Sequence, residues 1–243
     1  MKLSRRIAIL KAAGTIAVFL IVYSWIVRPA FLQWGAVPAE TGGPWPGQDL
    51  FRSGAGGAEP EPGSVRAVTI AAAPAQVWPW LAQIGQTRGG FYFDDWIANL
   101  LGRDTVNPAR LHREWQPLRS GERVYLAPPH RFGGRAYLVA ARVDPPKALV
   151  LVSPRDWLAI RDGAKARGFL WSFELRELPG GGARLIARSA GDLSLAWLVF
   201  CEPAHFLLER AMLLGIRQRA ETMRARPALP GPVHRALGRD TLN

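Results

Sequence analysis

The chain has a single cysteine, Cys201, so it can form no internal disulfide and its fold must rest on a packed core. Histidine is almost as scarce. The four are His112, His130, His205 and His234, and no second pair joins Cys201 and His205 to complete a metal-ligand set. Those two residues are therefore expected to be a buried thiol and a capping or core histidine, and no metal is expected. The sequence also lacks a nucleophile elbow, a phosphate-cradling glycine loop and a dinucleotide fingerprint, so no cofactor is implied. It has no internal repeat. The net charge is +12, but basic runs interleaved with aromatics are missing, and a nucleic-acid partner is not expected. Arginines scattered over a solvated face account for the charge, and it also favours anionic lipid surfaces.

What the chain does have is apolar material, 49% of its 243 residues, enough for one ordinary domain with added segments. An apolar run extends from Ile7 to Val27. Lys2, Arg5, Arg6 and Lys11 precede or punctuate it, and Arg28-Pro29 ends it. As a helix it would be about 31 Å long, enough to cross a bilayer core. Tyr23 and Trp25 sit near its far end, as interfacial aromatics do, and the basic flank places the domain on the extracytoplasmic side. Val37-Pro38-Ala39 is a poor small-x-small cleavage site, which favours a retained anchor over a signal peptide.

The expected organisation is an anchor over residues 1–30, a Gly/Pro-rich linker or arm over 31–63, a domain over 64–226 and a basic tail over 227–243. Trp45, Leu50 and Phe51 give the arm a means of docking. In the domain, Val65–Ile70 reads as a strand. Pro74 opens a helix with Val77, Trp80, Leu81 and Ile84 on one stripe, and Pro79 keeps it short. Asp94 or Asp95 caps a second short helix carrying Trp96. Extended segments follow at Arg123–Ala127, Arg135–Val143, Ala148–Ser153, Phe169–Glu177 and Arg184–Ala190. Trp171, Phe173 and Leu175 share one face of the fourth. A long helix from Pro203 to Arg224 ends the domain, with Leu207, Ala211 and Leu214 read as its apolar face. Strands followed by one long helix indicate an α+β fold, with the helix on one face of an antiparallel sheet.

That order resembles the helix-grip fold of the START/Bet v 1-like (SRPBCC) superfamily, including its polyketide cyclase/dehydrase and lipid-transport group. The motif Ala73-Pro74-Ala75-Gln76-Val77-Trp78-Pro79-Trp80-Leu81 is similar to that family's first strand-to-helix junction. Gln83 to Tyr92, Asp95-Trp96, Glu114-Trp115-Gln116, Gly121-Glu122 and Glu209 to Ile216 resemble a bacterial subgroup that often has N-terminal hydrophobic segments. The resemblance implies a curved antiparallel sheet around a long C-terminal helix. It implies no particular reaction or ligand.

The Arg88-Gly89-Gly90 turn combines permissive backbone with a cation suited to a carboxylate or phosphate. Tyr92, Trp96, Trp115, Tyr125, Trp171, Phe173 and His205 are the further candidate pocket-lining residues. His112 and Glu114 form a candidate acid/base dyad at alternating positions, and Asp94 and Asp95 are better explained as a helix cap and first-turn charge. The leading expectation is a membrane-anchored binding module for a hydrophobic or amphipathic small molecule such as a lipid. The alternatives are a cyclase or dehydratase working through pocket acid/base groups, and a structural or partner-binding envelope protein without a ligand.

Overall fold

The computed structural model describes residues 11, 14–15, 18, 21–52, 62–93, 110–191 and 202–225. The candidates Asp94, Asp95 and Trp96, the thiol Cys201 and the tail over 227–243 lie outside them. So do ten of the 21 residues of the apolar run Ile7–Val27. Among the described residues, no helix is long and apolar enough to cross a membrane.

Six strands form one antiparallel, curved sheet in the order β1-β6-β5-β4-β3-β2. They are β1 (Ser64–Ile70), β2 (Arg123–Tyr125), β3 (Tyr137–Asp144), β4 (Ala148–Val152), β5 (Phe169–Leu178) and β6 (Gly182–Gly191). The helices are α1 (Arg28–Leu32), preceded by a π-helical turn at Tyr23–Val27, then α2 (Pro38–Thr41), α3 (Pro74–Ala82), α4 (Pro154–Arg161) and α5 (Glu202–Ala225). The α+β class follows directly, with α5 packed on β1 and α3.

The inward face of the sheet and the buried side of α5 share one core. Val68 and Ile70 of β1, Leu149 and Leu151 of β4, Trp171 and Phe173 of β5, and Met212, Leu213 and Ile216 of α5 belong to it. The stripe Val77, Trp80, Leu81 and Ile84 is buried throughout, as its spacing requires. On α5 the reading of the face needs correction. Leu207 is 53% exposed, while Ala211 is buried and Leu214 packs partly buried against the core; Glu209, Met212, Leu213, Ile216 and Ala220 also face inward. Glu209 lies on the apolar stripe, which made the buried side hard to place from hydrophobicity alone.

The helix α4 lies between Ser153 and Phe169, a stretch to which the sequence reading assigns no element. Ser153 caps it by accepting from the Asp156 amide at 3.1 Å, with Pro154 in the first turn. Asp156 also gathers the amides of Arg167, Gly168 and Phe169 at 2.9–3.0 Å, fixing the start of β5. At Gly215 a side chain would run into the Tyr92 carbonyl oxygen, so this glycine lets α5 pass close to that backbone.

The arm covers the opposite face of the sheet. Trp45 is buried against Val150, Val152, Leu170 and Ala190, with Leu50, Phe51, Trp157 and Ile160 around it. Ser172 donates to the Pro46 carbonyl at 2.7 Å. Glu40 is buried and accepts from Arg184 at 2.7 and 2.8 Å, and this pairing holds its carboxyl below the usual carboxylate range.

Candidate functional site

Two polar features stand out along α5, one in the core it shares with the sheet and one toward its C-terminal end. The first is a charge cluster. Arg66 occupies an inward position of β1, in phase with Val68 and Ile70, and Glu209 occupies the inward stripe of α5. Both side chains are fully buried, and Arg66 Nη1 donates to Glu209 Oε2 in an ion pair. Trp171 Nε1 donates to the other carboxylate oxygen. Arg66 Nε donates to the Phe31 carbonyl at 2.8 Å, and Nη1 lies 3.3 Å from His205 Nδ1. A guanidinium only donates, so His205 Nδ1 accepts and the ring proton sits on Nε2. Burial pushes the His205 pKa down; Glu209 opposes that shift and Arg66 adds to it. Arg66 Nη2 is buried with no hydrogen-bond partner among the described residues.

The second feature is a cavity of about 350 Å³ between α3, the C-terminal half of α5 and the segment around Arg110. Trp80, Leu111 and Met223 supply its apolar wall. Arg110, Gln218, Arg219 and Thr222 supply its polar one. Arg219 stacks 4.7 Å above the Tyr92 ring and donates to the Gly215 carbonyl at 3.2 Å, so this cation is held in place. Trp80 is buried, and its Nε1–H has no hydrogen-bond partner among the described residues. A buried donor without an acceptor carries a desolvation cost, which an acceptor group entering the cavity would relieve. Two cations, an unsatisfied donor and an apolar wall together suit an amphipathic anion.

The candidates read from the sequence fall into separate places. Trp171, Phe173 and His205 belong to the core and its charge cluster; the Trp171 and Phe173 rings are 4.7 Å apart. Trp171 and Phe173 share the buried core with Met212, Leu213 and Ile216 of α5. Arg88 donates to the Trp115 carbonyl and lies 3.5 Å from Glu122. Its guanidinium is thus engaged inside the protein, and burial pushes its pKa down. Gly89 packs against Gln83, whose amide reaches the Arg110 carbonyl at 3.4 Å, so the Arg88-Gly89-Gly90 turn backs the cavity instead of lining it. Gly90 is left-handed at φ +65° and pairs with Gly85. Tyr92 donates to the Trp80 carbonyl at 2.7 Å, and burial pushes its phenol pKa up. Tyr125 packs 5.6 Å from Tyr137, away from the lining.

His112 Nδ1 and Glu114 Oε1 are 3.0 Å apart, and the His112 ring stacks 4.1 Å from Trp115. This pair is partly exposed and immediately follows the lining residues Arg110 and Leu111. Among the described residues, no group of three His, Cys, Asp or Glu is arranged to hold a metal ion.

The residues that sequence reasoning missed are Arg66, Glu209, Arg110 and Arg219. Arg66 and Glu209 had a usable signal, since each interrupts an apolar stripe with a charge, and the two charges are opposite. Arg110 and Arg219 had none, because the cavity they share is made by contacts between distant segments.

No family model matches this chain, and no curated protein matches it. Similar solved structures include a Mesorhizobium loti protein at 17% identity, covering 67% of this chain and 98% of that one, with a TM-score of 0.39. CalU16 from Micromonospora echinospora is 18% identical over 66% of this chain and 85% of its own, with a TM-score of 0.33. A polyketide-cyclase-like protein from Corynebacterium glutamicum is 13% identical over 66% and 92%, with a TM-score of 0.34.

Proposed function

We propose that this protein is a helix-grip binding module for an amphipathic anion, a lipid-like carboxylate or phosphate, held at a membrane by its N-terminal segment. The observation that carries the reading is the cavity between α3 and α5, where Arg110 and Arg219 face an apolar wall containing the unpartnered Trp80 Nε1. Its volume is at the lower end of small-molecule sites. The headgroup lies against the two arginines and the apolar chain against Trp80, Leu111 and Met223.

The test is calorimetric titration of the detergent-solubilised full chain with a fatty acid and with its methyl ester. A charge-assisted hydrogen bond contributes about 1.5–3 kcal/mol, so Arg110→Gln is expected to weaken the acid roughly ten- to a hundredfold and spare the ester. Equal losses for both ligands would reject the headgroup role. Selective loss in Arg88→Ala instead would move the headgroup to the Arg88-Gly89-Gly90 turn.

Membrane attachment is supported by the basic flank of Ile7–Val27 and by the exposure of Val18, Ile21, Val22, Trp25, Ile26 and Val27. The same flank supports an extracytoplasmic domain. Reporter fusions after Gln33 and at the C-terminus check it; activity of a cytoplasm-only reporter at both sites would contradict the orientation.

A second reading is favoured by the His112–Glu114 pair beside the cavity. A hydrogen-bonded imidazole and carboxylate are suited to moving a proton, as a cyclase or dehydratase requires. His112→Gln separates the two readings, since it leaves binding intact under the first and abolishes turnover of a bound substrate under the second.

A further inference from the structure

Three contacts fix how the N-terminal segment meets α5. Arg28 donates twice to Glu202, at 2.8 and 3.0 Å. The Phe31 ring stacks 5.3 Å from Phe206. The Arg210 guanidinium sits 5.0 Å above the Trp34 ring. As the chain advances from 28 to 31 to 34, its partners advance from 202 to 206 to 210. The two segments therefore run parallel and side by side. The buried charge cluster fastens this arrangement from beneath, because Arg66 donates to the Phe31 carbonyl.

Residues before Arg28 consequently continue beyond the first turn of α5. They are helical over 21–32, and on them Ile21, Val22, Trp25, Ile26 and Val27 are exposed. Such an apolar surface next to a single arginine suits the border between lipid and water. The cavity lies at the opposite end of α5. Gln218 follows Glu202 by sixteen residues, which is about 24 Å along a helix axis.

We propose that the N-terminal helix is a docked stalk, not a flexible tether. It holds the domain with the N-terminal end of α5 toward the bilayer and the cavity about 24 Å further out. Ligand then enters and leaves on the aqueous side, without sliding directly from the bilayer into the cavity. This inference rests on the membrane attachment proposed above. It adds a fixed orientation, which attachment through a slack linker would not produce.

The experiment places a spin label at Leu207→Cys or at Gln218→Cys in the full chain carrying Cys201→Ser. Each protein is reconstituted in phosphatidylcholine vesicles containing a nickel-chelating lipid. Both positions are exposed on α5, and eleven residues, or about three turns, put them on nearly the same side of the helix. The comparison therefore reads height above the lipid. The expected result is relaxation enhancement several-fold stronger at 207 than at 218. Equal enhancement, or stronger enhancement at 218, in protein that floats with the vesicles would overturn the fixed orientation while leaving attachment standing. Protein that fails to float with the vesicles would overturn attachment itself, and the stalk with it.

Discussion

Arg66 and Glu209 bring two opposite charges, both fully buried, up against a hydrophobic core. Removing both from solvent is costly, and the pair is tolerated because the carboxylate takes hydrogen bonds from Arg66 and Trp171 while Phe31 accepts another from the guanidinium. Removing one partner is a different matter from removing both. Glu209→Gln leaves the Arg66 charge uncompensated and is expected to cost about 3–5 kcal/mol in denaturant unfolding of the full chain. The double substitution Arg66→Met with Glu209→Leu is expected to cost far less, since it removes the buried charges together. A single-variant loss no larger than the double would mean that the pair is not the anchor of this core. His205 adds a pH dependence. Its ordinary pKa is 6.5 and burial lowers it in the fold, so between the folded and ordinary values the unfolded chain binds more protons. The contribution is present above 6.5 and is lost as pH falls through the lower, folded value. The thermal midpoint is expected to drop on acidification below 6.5, and His205→Gln should flatten that part of the curve. An unchanged curve in the variant would assign the effect to another group.

At the scale of elements, the arm closes the outer face of the sheet. The strand β4, Ala148-Leu149-Val150-Leu151-Val152, is apolar at every position and buried on both faces. A sheet with one wet face alternates, so this run already indicated that something covers the second side. The cover is Trp45 with Leu50 and Phe51. Trp45→Ala is expected to cost about 3–5 kcal/mol, the range for emptying a large aromatic site. A cost below 1 kcal/mol, by the same denaturant measurement, would show the arm to be loosely laid on a self-sufficient sheet. Strands and the α3 stripe were readable because their periods match their geometry: Trp171, Phe173 and Leu175 share a face, and Val77, Trp80, Leu81 and Ile84 share another. The face of α5 was less readable because Glu209 occupies a buried position while Leu207 is exposed. The helix α4 was hidden in a mixed segment, although Ser153-Pro154 followed by Asp156 is a capping pattern. The site was the least readable part. Arg110 and Arg219 are 109 positions apart; α3 packs on α5, and Gln83 just after α3 donates to the Arg110 carbonyl at 3.4 Å, which brings the two segments to one cavity.

For the molecule as a whole, three arrangements bear on one function. Among the described residues, the inward face of the sheet and the buried side of α5 share one hydrophobic core that holds a buried charge pair. The cavity sits toward the C-terminal end of α5, cationic on one side and apolar on the other. The N-terminal segment is docked at the other end of that helix. Native mass spectrometry of the full chain, released from detergent after incubation with excess fatty acid, shows whether the cavity takes an amphipathic anion. One bound acid per chain is expected, strongly reduced in Arg110→Gln and not replaced by the methyl ester. A spectrum showing only the unliganded mass at saturating acid, or equal occupancy by acid and ester, would contradict that reading.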